Sequence, residues 1–462
     1  MFEKLLVANR GEIACRIFRT CERLGIPTVA VFSDADVLSP HVAQADEAIR
    51  IGPAKVSESY LNIPAILAAV ADVGADAVHP GYGLLSERRA FADAVTAAGV
   101  TFIGPPGEAL AAFGDKIRAR QIARGVSVLP PPGSEEPVDP QDLERLRVEA
   151  ERIGLPLLIK AAAGGGGIGM QIVRQASELE RAAQTCADRG QQAFADGRIY
   201  LERYLDQPRH IEVQVFCDAF GNAVALGERE CSVQRRHQKI IEESPSPASF
   251  FAGSEGAQRR SKLWASALDV VRAVDYRGAG TVEFVADSAG SLYFLEVNAR
   301  LQVEHPVTEL VTGLDLVELQ LIVAAGKPLP PAALAPALTG HAIEVRLYAE
   351  DPSKGFLPQP GRLEQVEFPS GLPGVRVDSG VVVGQEITPY YDPMLAKIAA
   401  HGADREQALE RLLTALAACK VTLAGPNGPR ATNLEFLQKV LRSAEFRAGT
   451  YDTSLAEALN HA

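Results

Sequence analysis

The apolar positions change period several times along the chain, and each change marks an element. Residues 4–8 form a short apolar run that predicts a strand. Residues 12–24 place apolar side chains at helical spacing and stop at Gly25, and residues 27–32 predict the next strand. The chain thus opens as a βαβ unit, and further strands near 77–79 and 101–103 extend it into a Rossmann-like α/β scaffold. The first βα turn reads Asn9-Arg-Gly-Glu12 and lacks the G-x-G-x-x-G fingerprint, which argues against a nicotinamide site. The turn-rich stretch 129–140 predicts a loop or linker. Beyond it, residues 155–159 form a strand that runs into Lys160 and a glycine tract. Between 200 and 298, strands alternate with loops and one helix over 260–273. A second break at 326–331 precedes a mixed region that opens with a strand over 341–347 and closes with a helix over 405–418. No internal repeat is visible.

Residues 281–285 and 292–297 alternate with the period of a strand, and Asp287-Ser-Ala-Gly290 supplies turn residues between them. A register that pairs Asp287 with Leu292 places Glu283 opposite Glu296. Facing carboxylates destabilise a ladder unless something neutralises them. A hard divalent cation with oxygen ligands does so, and Mg²⁺ usually arrives with substrate phosphates. Together with the polar string from Glu296 to His305, the hairpin predicts a metal–nucleotide site.

At 462 residues the chain has room for about three domains. Its 47% hydrophobic and 23% charged content is that of a soluble globular protein. The net charge of −12 argues against a nucleic-acid or anionic-membrane surface, so a phosphate ligand must be held by local cations and backbone N–H groups. Cysteines at 15, 21, 186, 217, 231 and 419 are scattered without a C-x-x-C pair. That pattern predicts reduced thiols in a cytoplasmic enzyme rather than a disulfide framework or a zinc site. The apolar start meets charge too soon for a signal peptide or a membrane span.

Lys160 stands at a strand end, with glycines at 164–167 and again at 169. Consecutive glycines let the backbone approach phosphates and aim N–H donors at them, and Lys160 would add a point charge. The alternative is a flexible surface turn, but a glycine tract directly after a strand is costly in conformational entropy. Arg235-Arg-His-Gln-Lys239 concentrates cationic donors and predicts an anion site, against the alternative of a solvated charged face. Taken alone, His210 reads as a structural histidine and Cys231 as a buried thiol.

In this order and spacing, the residues resemble the biotin carboxylase family of ATP-grasp carboxylases over nearly the whole chain. The resemblance rests on Ala8-Asn-Arg-Gly-Glu-Ile-Ala14, His79-Pro-Gly-Tyr-Gly-Leu-Leu-Ser-Glu87, Gly114-Asp-Lys116, the glycine loop, residues 228–239, residues 296–304 and Tyr391-Asp-Pro-Met394. It implies a mixed α/β fold with a Rossmann-like N-terminal domain over 1–113 and an ATP-grasp core over 114–328. A mobile glycine-loop lid at about 130–204, a C-terminal α/β domain over 335–446 and a tail over 447–462 complete the implied organisation. The implied ATP contacts are Lys116, Lys160, Gly165, Gly166, Gly167, Met170, Glu202, Leu205, His210, Gln234 and His237. Mg²⁺ or Mn²⁺ would sit on Glu283 and Glu296 with Asn298 nearby. Bicarbonate would meet Lys239, Arg300, Gln302 and the Val303 backbone, with Glu304 as general base. Arg346 would meet the ureido group of biotin, so the implied catalytic set is Glu304, Arg346, Lys239 and Arg300.

The implied activity is ATP- and bicarbonate-dependent carboxylation of N1′ of biotin on a biotin carboxyl carrier protein. It is the first half-reaction of an acyl-CoA carboxylase such as acetyl-CoA carboxylase. Urea, propionyl-CoA and methylcrotonyl-CoA carboxylases share that step, and the acceptor is chosen by a separate carboxyltransferase. Other ATP-grasp ligases share the nucleotide site but should lack the combination of Arg300, Gln302, Glu304 and Arg346. A regulatory ATP-binding protein would not need Lys239, Glu304 and Arg346 intact. The resemblance also implies a homodimer, with Arg16 and Arg19 near the contact. Methionines stand only at 1, 170 and 394, none within a Met-Lys-Met attachment motif, so biotin is expected on a separate carrier or elsewhere in a longer protein. Ile168 stands where the family usually carries Arg or Lys, Arg203 replaces the usual Lys, and residues 421–433 are longer than the family's turn.

Overall fold

Five parallel strands form the first sheet, in the order Glu47–Gly52, Thr28–Ser33, Leu5–Val7, Ala77–His79, Thr101–Phe102. The computed structural model describes residues 1–162, 169–369, 371–426 and 428–461, apart from the side chain of Phe194. The helix predicted over 12–24 is Gly11–Leu24, and Gly25 ends it at φ +67°, where its N–H returns to the carbonyls of Cys21 and Glu22. Ile13, Ile17, Phe18 and Cys21 bury the apolar face of that helix against the sheet. This is the Rossmann-like scaffold that the βαβ pattern predicts.

An eight-stranded antiparallel sheet occupies the centre of the molecule. Its order is Leu292–Asn298, Gly278–Ala286, Arg209–Cys217, Ala223–Arg235, Gln238–Ser244, His341–Tyr348, Met394–Gly402, Val375–Ser379. The sheet passes straight across the break predicted at 326–331, because Gln238–Ser244 pairs with His341–Tyr348 through Ile241 opposite Val345. The last third of the chain is therefore joined to the site strands by backbone hydrogen bonds, not merely docked on them. Gly253–Arg272 packs on this sheet and starts earlier than the predicted helix over 260–273, since glycines and charged residues hide its first turns in the apolar pattern. Arg405–Ala418 matches its prediction and is capped by Asp404, whose side chain accepts from the Gln407 N–H.

A separate three-stranded sheet, Met170–Val173, Leu157–Ala161, Ile199–Arg203, carries the helices Leu143–Ile153 and Leu179–Phe194. It has its own small core, built on Leu146, Ile159, Cys186 and Leu201. The glycine-loop residues Gly165, Gly166, Gly167 and Ile168 lie outside the described residues. The long segment at 421–433 turns out to be sheet: Lys420–Gly425 and Gly428–Arg430 form a hairpin on the edge beyond Gly361–Glu367. All six cysteines are buried and free, as their scatter predicts. No helix among the described residues is long and apolar enough to cross a membrane.

Candidate active site

The central sheet aligns charged residues from four adjacent strands in one row: Glu296 opposite Glu283, Glu283 opposite Glu212, and Glu212 opposite Arg229. The facing of Glu283 and Glu296 agrees with the sequence, but its premise does not hold. Leu292 pairs with Ala286, and the Asp287 N–H donates to the Ser291 carbonyl at 3.0 Å. The register is thus one residue out at the turn, and the shift between Glu283 and Phe284 leaves Leu295 as an extra residue that restores the opposition.

Three buried carboxylates converge on one ammonium. Lys239 Nζ lies 2.5 Å from Glu212 Oε2, 2.8 Å from Glu283 Oε1 and 2.7 Å from Glu304 Oε1. Burial alone would raise the Glu283 carboxyl, but Lys239 and then His210 hold it below the usual carboxylate range. Glu304 is likewise depressed, since Lys239, Arg346 and Arg229 together outweigh its desolvation. Arg346 reaches its other oxygen, Oε2, at 2.8 Å and lies 2.5 Å from Glu242 Oε1. Burial pushes the Glu242 carboxyl up to about 7.

The segment after the hairpin wraps this cluster with donors. Asn298 Nδ2 and Gln302 Nε2 donate to Glu283 Oε1 at 2.8 and 3.1 Å. Arg300 donates to Gln302 Oε1 at 2.8 Å, to Asn298 Oδ1 at 3.1 Å and to Glu87 Oε2 at 2.8 Å. His210 Nε2 stands 2.9 Å from Glu283 Oε2, too bent for a hydrogen bond, while its Nδ1 meets Gln234 Nε2 at 3.1 Å. Across the cleft, Lys116 Nζ lies 3.2 Å from Glu296 Oε2. Lys160 pairs with Glu202, which also binds Arg120 at 2.7 Å.

The run Arg235 to Lys239 proves to be a hairpin turn, with Arg236 and His237 at φ 48° and 65°. Arg235 is buried, paired with Glu350 and stacked over Tyr348 where it lines the cleft. Arg236 and His237 form the tip of the turn and also face the cleft.

One cleft of about 1840 Å³ is lined by the described candidates Lys116, Lys160, Met170, Glu202, Leu205, His210, Gln234, His237, Lys239, Glu283, Glu296, Asn298, Arg300, Gln302, Val303 and Arg346. Glu304 is fully buried behind Lys239 and Arg346 rather than on the cleft wall. Of the two helix residues expected near a dimer contact, Arg16 is buried and spent inside the chain on Glu309 and Asp315, each at 2.8 Å. Only Arg19 offers surface there, with 45% of its side chain exposed.

Sequence reasoning missed Glu212, Arg229, Glu242 and Glu87. The signal for Glu212 was available: it shares a strand face with His210, two residues away. The Arg229 contacts with Glu212, Gln214, Thr281 and Thr308 join four elements and leave no sequence trace.

Opposed carboxylates, cleft-lining lysines and a buried glutamate between two cations fit the needs of an ATP-dependent ligase. Residues 1–110 match the biotin carboxylase N-terminal domain, residues 115–332 the carbamoyl-phosphate synthase L chain ATP-binding domain, and residues 344–458 the biotin carboxylase C-terminal domain. The chain is 46% identical to the biotin carboxylase of Halalkalibacterium halodurans, covering 100% of this chain and 98% of that protein. It is also 46% identical to the propionyl-CoA carboxylase alpha chain of Ruegeria pomeroyi, covering 98% of this chain and 67% of that one. Across the propionyl-CoA carboxylase alpha chains that it matches, it spans between 55% and 67% of their length. The biotin carboxylase domain dimer of Hydrogenobacter thermophilus 2-oxoglutarate carboxylase, solved with MgADP, ADP and bicarbonate, superposes with a TM-score of 0.93 at 40% identity, covering 100% of this chain and 98% of that one. The chain belongs to the biotin carboxylase family, and it is an ATP-grasp ligase.

Proposed function

We propose that this chain carboxylates N1′ of carrier-borne biotin at the expense of ATP and bicarbonate, as the first half-reaction of an acyl-CoA carboxylase. The observation that carries the proposal is the convergence of Lys239 and Arg346 on the two oxygens of buried Glu304, at 2.7 and 2.8 Å. That arrangement offers a base flanked by one cation for bicarbonate and one for a developing ureido oxyanion. The Hydrogenobacter complex with MgADP and bicarbonate supports the same ligands here.

Lys116, Lys160 and His237 would hold the phosphates, and Lys239, Arg300 and Gln302 the bicarbonate. Glu304 would take the bicarbonate proton as its oxygen attacks the γ-phosphorus, releasing ADP and forming carboxyphosphate. The low proton affinity of Glu304 depends on Lys239 and Arg346 both resting against it. Drawing those cations onto substrates raises that affinity at the moment a base is required. Carboxyphosphate would break down to CO₂ and phosphate, phosphate would take the N1′ proton while Arg346 stabilises the ureido oxygen, and N1′ would then add to the CO₂ carbon to form the N–C bond. Glu283 and Glu296 fit a hard cation, since each offers carboxylate oxygen to the cleft across one ladder position. Mg²⁺ or Mn²⁺ held there would neutralise phosphate charge.

Equal identity, 46% to a stand-alone biotin carboxylase and to a propionyl-CoA carboxylase alpha chain, supports the half-reaction without favouring acetyl-CoA over propionyl-CoA as final acceptor. A biotin carboxyl carrier, a carboxyltransferase and a second copy of the chain are the partners this reading calls for. The test is ATP hydrolysis with Mg²⁺ and bicarbonate, with and without free biotin, while ¹⁴C from bicarbonate is followed into carboxybiotin. Biotin-stimulated carboxybiotin formation supports the reading, and hydrolysis without carboxybiotin overturns it in favour of another ATP-grasp ligase.

A further inference from the structure

Lys397 sits on the strand Met394–Gly402 in the last third of the chain and is 1% exposed, yet its ammonium reaches the site. Nζ donates to the Val303 carbonyl at 2.8 Å and lies 3.2 Å from Glu12 Oε1. Glu12 also accepts from the Tyr82 hydroxyl. On its own sheet, Lys397 stands directly opposite Arg346 on one side and Asp378 on the other. One side chain therefore links the first helix, the segment before Glu304 and the strand pair that presents Arg346.

The Val303 carbonyl belongs to the peptide that leads into Glu304. The preceding carbonyl, of Gln302, is held by His305 through Nδ1 at 2.8 Å and its N–H at 3.3 Å. At the start of the segment, Glu87 accepts from the Ala299 N–H at 3.0 Å. The segment is thus held at its start by Glu87 and near its end by the His305 turn, and Lys397 supplies the anchor next to Glu304. A carbonyl left without that donor would turn to find another, and its peptide would turn with it.

We infer that Lys397 is a positioning residue that fixes the Val303–Glu304 peptide towards bicarbonate, braced from the N-terminal domain by Glu12 and Tyr82. The inference rests on the reading of this site as one that binds bicarbonate beside Glu304. It assigns Lys397 no contact with substrate, so its effect should be selective for one ligand. Loss of the anchor should weaken bicarbonate capture while leaving the nucleotide end, built on Lys116, Lys160 and His237, untouched.

The experiment compares Lys397→Met, Lys397→Arg and Glu12→Gln in the full chain by amide hydrogen exchange and by steady-state kinetics. Lys397→Met is expected to speed exchange in residues 299–305 by about tenfold or more, with the strand Gly278–Ala286 unchanged. Its KM for bicarbonate should rise about tenfold while its KM for ATP stays within about twofold, and Lys397→Arg should recover most of the loss. Unchanged exchange in 299–305, or an equal rise in both KM values, overturns the inference. If Lys397→Met does not fold, Glu12→Gln decides. It keeps the bond to Val303 but removes the charged brace, so a smaller shift in the same direction supports the inference and no shift overturns it. A wild-type chain that lacks bicarbonate-dependent ATP hydrolysis would refute the proposed function instead, and the exchange comparison would still decide whether Lys397 anchors the segment.

Discussion

Glu283 and Glu296 face each other across one ladder position, yet they are unequal partners. The Glu283 side chain is 5% exposed and its Oε1 takes donors from Lys239, Asn298 and Gln302. The Glu296 side chain is 24% exposed and meets Lys116 at a longer 3.2 Å. Glu283 is woven into the folded protein, whereas Glu296 is held ready at the cleft.

That asymmetry separates stability from metal binding. Glu296→Gln should change unfolding free energy by no more than about 0.5 kcal/mol. Glu283→Gln should cost about 1–3 kcal/mol, because buried donors lose their charged acceptor. Both should raise the Mg²⁺ concentration for half-maximal ATP hydrolysis by about tenfold or more. Urea denaturation and Mg²⁺ titration check the two halves independently, and an unchanged Mg²⁺ requirement in Glu296→Gln would remove that residue from the metal site.

Glu304→Gln should fold, since Lys239 keeps Glu212 and Glu283 and Arg346 keeps Glu242. Its bicarbonate-dependent ATP turnover should fall by about 10²–10⁴, the usual worth of a general base. ATP affinity, measured by calorimetry, should be nearly unchanged. A variant with wild-type turnover would leave Glu304 as a structural counter-ion only.

The sequence was most informative where local pattern sets structure. Period and stop signals predict the helix over 12–24, found at Gly11–Leu24, and the strand beginning at His341, because each depends on its own residues. The opposition of Glu283 and Glu296 was reached from an incorrect turn, and only the extra residue Leu295 reconciled the two. The cluster around Lys239 was legible only in part, because Glu212 meets Glu283 through pairing between Arg209–Cys217 and Gly278–Ala286, strands far apart in sequence, and Arg229 joins the row from the next strand. Lys397 left no local signal, since its meaning lies in a carbonyl nearly a hundred positions away.

The buried histidines should contribute stability that is lost as the solution is acidified from neutrality. His79 is fully buried and its Nδ1 accepts the Gly81 N–H at 3.0 Å, which requires that nitrogen unprotonated. Burial lowers His79 from 6.5 to about 3, and burial lowers His41 to about 4. The unfolded chain takes up those protons near pH 6.5 while the folded chain refuses them, so the contribution of these histidines is complete above 6.5 and is lost below it. Each histidine contributes a slope of at most about 1.4 kcal/mol per pH unit. Glu243 adds a second loss below about 4.5, because His341 and Arg405 overcome its burial and hold it at about 2. Urea midpoints measured from pH 8 to pH 5 should show this as a difference: His79→Asn, which retains an acceptor but cannot titrate, should lose less stability than the wild type over that range, by up to about 1.4 kcal/mol per pH unit.

Lys239 offers the sharpest stability test of the site. Its removal in Lys239→Met leaves Glu212 with Arg229 at 2.5 Å and Glu304 with Arg346 at 2.8 Å. Glu283 alone loses its charged partner, keeping the neutral donors Asn298 and Gln302 and the bent contact with His210. Breaking a buried ion pair by removing one partner costs about 3–5 kcal/mol, so Lys239→Met should unfold at distinctly lower urea. The cost should sit on Glu283, and Glu283→Gln should relieve it. The double variant should therefore be more stable than the two single losses predict, by about 1–3 kcal/mol in a double-mutant cycle. A coupling below about 0.5 kcal/mol would mean that Lys239 serves Glu212 and Glu304 equally well, and that Glu283 is neutralised by its amide neighbours rather than by the ammonium.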